Sequence, residues 1–322
     1  MVPTVQPEAG GPEDDAVFDP FGSECSSGFV TVVGRPNVGK STLVNQLVGA
    51  KVAITSDRPQ TTRHEIRGIL DTETAQVVFC DTPGIHKPRS QLGQRTNQRA
   101  IEALEAVDVV CFVVDASERI GPGDRRVAEL VTNASTPAVF VANKVDLATP
   151  AQIGECLTTA MSLGDFAAYV PVSARTGDGA DALLDELLKL LPRGPRLYPV
   201  GSVTDQPELF MAAELVREQL LRVAREELPH SIAVTVEPLD DDENEARGAL
   251  DRPWRIRAVI RVERDSQKGI VIGKGGEVLK AAGQGARQQL EAMLGRRVYL
   301  ETLVKVDKNW QSRPDRLDRL GF

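Results

Sequence analysis

The sequence predicts an α/β fold, a doubly wound and mostly parallel sheet, followed by a smaller α+β domain. Three observations predict it. Short apolar runs alternate with helical patterns in the first part of the chain, a Pro- and Gly-rich break follows near residue 191, and apolar and basic residues alternate in a strand-like run beyond it. The chain has 322 residues, more than one compact core usually needs, so two domains are expected.

Six apolar runs in the first part have the length and composition of buried strands. They are rich in Val and Phe and continuously apolar, as strands covered on both faces are. They span residues 29–34, 65–70, 76–80, 109–114, 138–142 and 169–173. Helical patterns lie between or after them at 40–48 and 180–191, the second with leucines on one face. This alternation predicts a mostly parallel sheet with helices on both sides.

Composition sets the expected domain boundaries. The first residues are acidic and rich in Pro and Gly, which predicts a disordered tail. The segment Leu-Pro-Arg-Gly-Pro-Arg-Leu-Tyr-Pro at 191–199 interrupts the pattern and indicates a linker. The expected division is a tail at 1–27, a first domain at 28–191, a linker at 192–206 and a second domain at 207–322.

The second part of the chain predicts a compact α+β unit. Its expected elements are a helix at 208–227, a strand at 231–237, an acidic loop at 240–248, a strand at 254–263, a glycine-rich turn at 273–276, a helix to 294 and a strand at 297–306. The net charge of the whole chain is −8, but residues 252 to 319 carry 16 Lys/Arg and 8 Asp/Glu. This basic region is suited to meeting a polyanion.

Residues 34–41 read Gly-Arg-Pro-Asn-Val-Gly-Lys-Ser, between a predicted strand and a predicted helix. They fit the phosphate-binding pattern GxxxxGK[ST] in the context that it requires. The glycines let backbone N–H groups face phosphates, and the positive end of the helix adds to them. We expect Lys40 to reach the β- and γ-phosphates and the Ser41 hydroxyl to bind Mg²⁺. The predicted nucleotide contacts here are Gly34, Asn37, Val38, Gly39, Lys40, Ser41 and Thr42.

Two further segments are expected at the triphosphate. Asp81-Thr82-Pro83-Gly84 follows an apolar strand, where an aspartate can hold Mg²⁺ and a glycine N–H can sense the γ-phosphate. A polar loop contains Thr61 and Thr62, and one hydroxyl of the pair could bind Mg²⁺ while the γ-phosphate is present. The sequence does not separate the two, and we favour Thr62. The expected metal ligands are Ser41, Thr62 and Asp81, and the expected catalytic residues are Lys40, Thr62 and Gly84.

The choice of base is expected at the ends of the last two strands. In Asn143-Lys144-Val145-Asp146, the Asp146 carboxylate can accept hydrogen bonds from N1–H and the 2-amino group of guanine. Adenine lacks both donors, so a buried carboxylate would stay unpaired with ATP. Asn143 is expected to brace the loop and the Lys144 stem to cover the base. Backbone N–H groups of Ser173, Ala174 and Arg175 are expected to hold guanine O6.

Residues 273–276 read Gly-Lys-Gly-Gly, between an apolar helix-like stretch and a predicted helix. In KH domains such a GxxG loop clamps a nucleic-acid backbone, and single-stranded RNA bases enter an apolar groove beside it. The order of elements resembles the type II arrangement, with two strands before the loop. The expected RNA contacts are Ile272, Gly273, Lys274, Gly275, Gly276 and Lys280.

The motifs together resemble the Era family of GTPases. The resemblance is carried by GRPNVGKSTLVNQL, QTTRH and DTPGIHKP, and further on by TDQPELFMAAELVREQLL, ELPHSIAVTVE and VKVDKNWQSRPDRLDRLGF. It implies GTP and GDP with Mg²⁺ as ligands, binding near the 3′ end of 16S ribosomal RNA, and a part in assembly and maturation of the 30S subunit. It implies a cytoplasmic protein, with the inner face of the cell membrane as a second, peripheral location. No DNA partner is expected.

The position after Gly84 is Ile85, where Ras-like switches carry a glutamine that orients the attacking water. Hydrolysis must therefore be arranged otherwise or be slow until a partner binds. In some GTPases related to Era, an asparagine at the position of Asn37 helps to hold K⁺, so K⁺ is expected to speed hydrolysis. Three alternatives stay open: an RNA-binding scaffold with negligible turnover, a membrane-associated regulatory GTPase, and a kinase with the same phosphate-binding loop.

Overall fold

The computed structural model describes residues 25–56, 58, 61–85, 88, 90–223, 232–239 and 253–322. Most of the predicted tail, the acidic loop and the end of the helix expected at 208–227 lie outside these residues. The first domain is built on one sheet. Its strands are β1 Cys25–Val33, β2 Ile66–Asp71, β3 Ala75–Asp81, β4 Val109–Asp115, β5 Ala138–Asn143, β6 Ala168–Val172 and β7 Arg193–Gly194.

The sheet has the order β2-β3-β1-β4-β5-β6, with β7 paired to β1 outside this path. Strands β1, β3, β4, β5 and β6 run parallel to their neighbours in this order, and β2 is antiparallel to β3. The predicted doubly wound, mostly parallel sheet is therefore confirmed. The helices of this domain are α1 Lys40–Val48, α2 Gln91–Glu102, α3 Pro122–Asn133, α4 Pro150–Met161 and α5 Ala180–Leu190.

The helices cover both faces of the sheet. One apolar cluster joins α1 and α5 to one face, through residues such as Leu43 and Leu183. A second cluster joins α2, α3 and α4 to the other face, through residues such as Val127 and Ala160. Strands β3, β4 and β5 are buried along their whole length, which is why their sequences are continuously apolar rather than alternating.

The second domain packs helices on a three-stranded sheet. Its elements are α6 Glu208–Val223, β8 Ala233–Pro238, β9 Trp254–Val262, α7 Asp265–Ile272, α8 Glu277–Leu294, β10 Val298–Val306 and α9 Pro314–Arg319. The strand order is β10-β9-β8, with β9 parallel to β10 and antiparallel to β8. Helices α6 and α8 and the core of the sheet share one apolar cluster, which includes Leu220, Ile260 and Ala286.

Two expected boundaries differ from the structure. Strand β1 begins at Cys25, so residues 25–27, which composition assigned to the tail, pair with neighbouring strands. The predicted linker is also packed on the first domain: β7 pairs with β1, and the Arg196 guanidinium lies 3.0 Å from the Asp71 carboxylate. The Ser27 hydroxyl also donates to the Pro195 carbonyl, 168 residues along the chain, and a contact at that separation leaves no local sequence signal. The Pro and Gly residues indicated only that a helix ends there.

Candidate functional site

The predicted nucleotide motifs meet at one edge of the first sheet. The phosphate-binding loop follows β1, Asp81 ends β3, Asn143 ends β5, and Ser173 follows β6. These strands are parallel, so their carboxyl ends share an edge, where open α/β sheets bind ligands. A cavity of about 390 Å³ lies there and is lined by Asn37, Gly39, Lys40, Ser41, Thr42, Thr61, Thr62, Gly84, Lys144 and neighbouring residues.

A wider groove of about 590 Å³ lies between β2, α2 and the segment before α6, lined by residues such as Arg67 and Glu102. It contains none of the motif residues, and charged groups in it already pair with one another, as Arg67 does with Asp205. The smaller cavity at the strand ends is therefore the candidate site.

Lys40 is held inside the phosphate-binding loop. Its side chain is 6% exposed, and Nζ donates to the carbonyl oxygens of Arg35 at 3.0 Å and Gly34 at 3.4 Å. Burial lowers the pKa of the ammonium to about 8, against the opposing charge of Asp81. Gly39 has a φ of 96°, and a Cβ there would lie 2.4 Å from the Asn143 amide nitrogen. Only glycine therefore lets the loop close against Asn143.

Three side chains that the sequence proposed as metal ligands converge. The Ser41 hydroxyl donates to Asp81 Oδ2 at 2.6 Å, the Thr62 hydroxyl donates to the same oxygen at 3.1 Å, and the two hydroxyl oxygens are 2.9 Å apart. Asp81 is fully buried, and its Oδ1 has no hydrogen-bond partner in the described part of the chain. Burial raises the pKa of this carboxyl. A set of hard oxygen donors with one unsatisfied carboxylate oxygen fits Mg²⁺.

The two threonines of the polar loop at 55–64, called the switch loop from here on, differ in what they contact. The Thr61 hydroxyl donates to the Arg58 carbonyl at 2.7 Å and so closes a local turn. The Thr62 hydroxyl faces Asp81. This geometry favours Thr62 as the metal ligand, a distinction that two adjacent threonines in a polar loop could not provide from sequence.

The base-binding residues form a connected set. The Asn143 amide donates to the Val38 carbonyl at 2.8 Å, and its oxygen accepts from the Ala174 N–H at 2.9 Å. The Asp146 carboxylate accepts from the Ser173 hydroxyl at 2.7 Å and lies 2.6 Å from the Arg175 guanidinium. The hydrogen bond from Ser173 and the charge of Arg175 lower the pKa of Asp146, and burial opposes this shift. The ionised carboxylate, which can accept hydrogen bonds, is therefore favoured.

Two of the three N–H groups expected at guanine O6 are engaged elsewhere. The Ser173 N–H donates to the Asp178 carbonyl, and the Ala174 N–H donates to Asn143. Lys144 has a left-handed φ of 65° and forms an ion pair with Asp115 at 2.6 Å. The ion pair orients the aliphatic part of the Lys144 side chain along the edge of the sheet where the strands end. Of the three residues that the sequence proposed for O6, this leaves Arg175 as the candidate.

The segment after Asp81 packs closely on the phosphate-binding loop. A Cβ on Gly84 would lie 2.7 Å from the Pro36 nitrogen, so only glycine permits this approach. The Thr82 hydroxyl donates to the Val32 carbonyl at 2.9 Å and therefore secures β3 to β1. The Ile85 side chain is 4% exposed and packs with Val33 and other core residues, while its N–H donates to the Gly34 carbonyl at 3.2 Å. Ile85 is thus a core residue.

Sequence reasoning missed residues on both sides of this cavity. Ile54, Thr55, Ser56 and Glu118 also line it. The polar run that starts at Thr55 was a visible signal, but Glu118 arrives from the loop after β4 and carries no motif. Helix α6 of the second domain also contacts the switch loop, and no motif in the sequence of this helix predicts the contact.

The GxxG loop joins α7 to α8 on the surface of the second domain. Gly275 and Gly276 have φ values of 62° and 83°, and a Cβ on either would meet no atom within 4 Å. Lys274 and Lys280 are exposed, and Ile272 is half-buried against the core. Helix α8 begins directly after the loop, so its positive end faces the same open surface. The loop and the first turn of α8 together present glycine backbone, two cations and a helix N-terminus to an approaching phosphate chain.

Two family models match separate parts of the chain. The model described as a 50S ribosome-binding GTPase matches residues 29–144, and the KH domain model matches residues 227–311. The fold, the nucleotide motifs and the GxxG loop define a P-loop protein of the GTPase class that carries a KH domain.

Comparison with curated and solved proteins identifies the family. GTPase Era of Mycobacterium tuberculosis (strain ATCC 25618 / H37Rv) is 50% identical over 304 residues, which cover 93% of this chain and 100% of the relative. GTPase Era of Mycobacterium avium (strain 104) is 49% identical over 303 residues with the same coverage. The chain belongs to the Era family of GTPases, as its motifs predicted.

Two solved structures match both domains together. One is a single-residue variant of Aquifex aeolicus Era bound to GDP·AlF4⁻, and the other is an Era in complex with MgGDPNP and nucleotides 1506–1542 of 16S ribosomal RNA. Each has a TM-score of 0.86 and 38% sequence identity, and covers 92% of this chain and 99% of its own. The match confirms the predicted fold of a mostly parallel GTPase sheet followed by a KH domain.

Proposed function

We propose that this chain is a GTP-hydrolysing switch that binds 16S ribosomal RNA near its 3′ end and assists assembly and maturation of the 30S subunit. The observation that carries the proposal is the convergence of Ser41 and Thr62 on Asp81 beside Lys40, because it connects a polar surface loop to the triphosphate position. The RNA target is supported by the GxxG surface and by the relative solved with nucleotides 1506–1542.

The residues divide the work at the triphosphate. Lys40 is assigned to the β- and γ-phosphates, and the backbone of Gly84 is assigned to the γ-phosphate side of the site. Ser41, Thr62 and Asp81 hold Mg²⁺, which supplies positive charge where negative charge develops on the transferred phosphoryl group. Thr62 belongs to the switch loop and Asp81 to the sheet. The hydrogen bond from the Thr62 hydroxyl to Asp81 Oδ2 therefore couples the loop to the nucleotide site. Ile85 lies in the core, so its side chain does not orient water.

At the other end of the nucleotide, Asp146 accepts the two guanine donors while Ser173 and Arg175 orient its carboxylate. Asn143 holds this loop to the phosphate-binding loop and does not contact the base through its amide. We propose the Arg175 N–H as the donor to O6. These assignments favour GTP over ATP and argue against the kinase alternative.

Two measurements test the proposal. Purified protein should bind GDP far more tightly than ADP in the presence of Mg²⁺, and RNA crosslinked to it in cells should be enriched in sequences near the 3′ end of 16S ribosomal RNA. Single-turnover GTP hydrolysis with and without that RNA separates an enzyme from a scaffold with negligible turnover. Equal affinity for the two nucleotides would refute guanine selection, and crosslinks spread evenly over cellular RNA would refute the ribosomal target.

We propose that the protein acts in the cytoplasm, where its RNA target is assembled into subunits. No helix among the described residues is long and apolar enough to cross a membrane. Peripheral contact with the inner face of the membrane stays a prediction from the family resemblance, and co-sedimentation of the full chain with anionic vesicles tests it.

A further inference from the structure

Helix α6 of the KH domain contacts the switch loop of the GTPase domain from two consecutive side chains. Glu218 accepts from the Thr55 N–H at 3.0 Å and from the Thr55 hydroxyl at 3.3 Å. Arg217 donates through NH2 to the carbonyl oxygen of Thr61. The two contacts fall at opposite ends of the segment from Thr55 to Thr61, so one turn of α6 holds both ends of the loop.

The Arg217 side chain is held in one position by burial and by an ion pair. It is 2% exposed, and its guanidinium makes a forked contact with the Glu214 carboxylate, with Nε at 2.8 Å and NH2 at 2.5 Å. Glu214 is 5% exposed and lies on the same helix, three residues earlier. A planar guanidinium locked against a carboxylate loses little freedom when it forms another hydrogen bond. Arg217 therefore presents a rigid donor to the switch loop.

The carbonyl that Arg217 holds belongs to the peptide unit that leads into Thr62. A peptide unit is planar, so fixing the Thr61 carbonyl fixes the N–H and Cα of the next residue in the same plane. Thr62 then directs its hydroxyl to Asp81 Oδ2, 3.1 Å away. The orientation of the Thr62 hydroxyl, the proposed Mg²⁺ ligand, thus depends on the Arg217 guanidinium. Arg217 comes from the other domain and binds the carbonyl of the preceding residue.

We propose that Arg217, a residue of the RNA-binding domain, is a positioning residue for GTP hydrolysis that sets Thr62 through the Thr61 carbonyl. The inference rests on the proposed role of Thr62 in holding Mg²⁺. It makes the KH domain part of the machinery that readies the switch loop, in addition to its contact with RNA. Because a switch loop is ordered through the γ-phosphate and released without it, Arg217 matters for GTP turnover and little for GDP binding.

The test uses the full chain with a variant that avoids an unpaired buried charge. Removing Arg217 alone leaves Glu214 buried without a partner, which is strongly destabilising, whereas replacing a buried ion pair by apolar residues is often tolerated. We therefore choose the double variant Glu214→Leu with Arg217→Met. Arg296→Met is the matched control, because Arg296 also pairs with a glutamate of α6, at 2.6 Å, but that glutamate is Glu208 at the first residue of the helix. Thr62→Ala reports the role of the threonine itself.

Single-turnover hydrolysis is measured against Mg²⁺ concentration, together with GDP affinity and thermal unfolding. For the double variant we expect turnover to fall about tenfold, the equivalent of one lost charge-assisted hydrogen bond. We also expect half-maximal turnover to need more Mg²⁺ and GDP affinity to stay unchanged. Thr62→Ala should change in the same direction, and Arg296→Met should match the parent.

Three results overturn the inference. The first is a double variant that keeps the parental turnover and Mg²⁺ dependence while Thr62→Ala is impaired. The second is an equal loss of GDP affinity and turnover, which indicates a structural role only. The third is an Arg296→Met variant as impaired as the double variant. If Thr62→Ala itself behaves like the parent, the proposed role of Thr62 fails, and that outcome is distinguishable from the first.

Discussion

The side-chain amide of Asn143 donates to the carbonyl oxygen of Val38 at 2.8 Å, across 105 residues of sequence. Because the Asn143 oxygen also accepts from the Ala174 N–H, one side chain connects the phosphate-binding loop to both base-binding loops. All three residues are buried, so each of these polar groups depends on the others for its hydrogen bond.

Replacing Asn143 by Ala should therefore weaken the fold and nucleotide binding together. The change leaves the Val38 carbonyl and the Ala174 N–H buried without partners, at a cost of about 1–3 kcal/mol in the free energy of unfolding. GTP and GDP affinity should fall by similar factors, because the loops serve both nucleotides. Urea denaturation and nucleotide titration measure the two effects. Asn133→Ala, at an exposed position on α3, should change neither, and a stable Asn143→Ala protein with parental affinity would contradict the assignment.

Replacing Asp146 by Asn should move base preference from guanine towards xanthine. The carboxylate accepts from two donors of guanine, and charged hydrogen bonds contribute about 1.5–3 kcal/mol each. We expect GDP affinity to fall by about a hundredfold or more, and affinity for xanthosine diphosphate to rise. Competition binding with both nucleotides measures the exchange. Asp178→Asn, exposed in the following loop, is the control, and a variant that keeps its preference for GDP would place the base elsewhere.

Replacing Ile85 by Gln should not restore the glutamine of Ras-like switches. The side chain lies in the apolar cluster with Val33 and Leu104, so the amide would be buried among hydrocarbon. We expect unfolding free energy to drop by about 1–3 kcal/mol with no gain in hydrolysis. Ile101→Gln is the control, since Ile101 is 37% exposed on α2 and the same substitution should be nearly neutral there. Faster hydrolysis in Ile85→Gln would show that the residue can face the nucleotide.

The sequence allowed most of the fold to be predicted, because the responsible signals are local. Strands buried on both faces must be continuously apolar, and the six runs expected in the first domain all became strands. Helix α1 starts at Lys40, since the phosphate-binding pattern itself ends in a helix N-terminus. The motif residues meet because parallel strands bring their carboxyl ends to one edge, a consequence of topology that the alternation already implied.

What the sequence did not provide depends on contacts between distant segments. The hydrogen bond from Arg217 to the Thr61 carbonyl joins residues 156 apart, and the one from the Thr55 N–H to Glu218 joins residues 163 apart. The sequence predicted the Ala174 N–H as a donor to guanine, but in the structure this group donates to the Asn143 side chain. Such contacts arise from docking of one element on another, and neither propensity nor spacing along the chain encodes them.

Replacing Gly275 by Asp should weaken RNA binding and leave GTP binding unchanged. The position has a φ of 62° and open space where a Cβ would lie, and aspartate tolerates this backbone better than most residues. The new negative charge would then face RNA phosphate, so affinity should fall about tenfold with a smaller dependence on salt. Filter binding at several salt concentrations and GDP titration measure the two sites.

Gly295 offers a matched control for this substitution. It has a φ of 64° and the same open surroundings, but it lies at the opposite end of α8 from the GxxG loop. Gly295→Asp introduces the same charge and the same backbone demand, so a loss of RNA affinity confined to Gly275→Asp assigns the effect to the loop. Equal losses in both variants would indicate general destabilisation or long-range charge.

Potassium should accelerate GTP hydrolysis relative to sodium, and Asn37 should be required for the difference. Asn37 lies exposed in the phosphate-binding loop at a left-handed φ of 66°, where it lines the nucleotide cavity. A monovalent cation held there adds positive charge beside the phosphates, where charge develops during transfer. Asn37→Gly removes the amide without backbone strain, because glycine adopts this conformation freely. Single-turnover rates in KCl and NaCl at equal ionic strength should differ severalfold for the parent and coincide for Asn37→Gly, whereas equal parental rates in the two salts would exclude a potassium role.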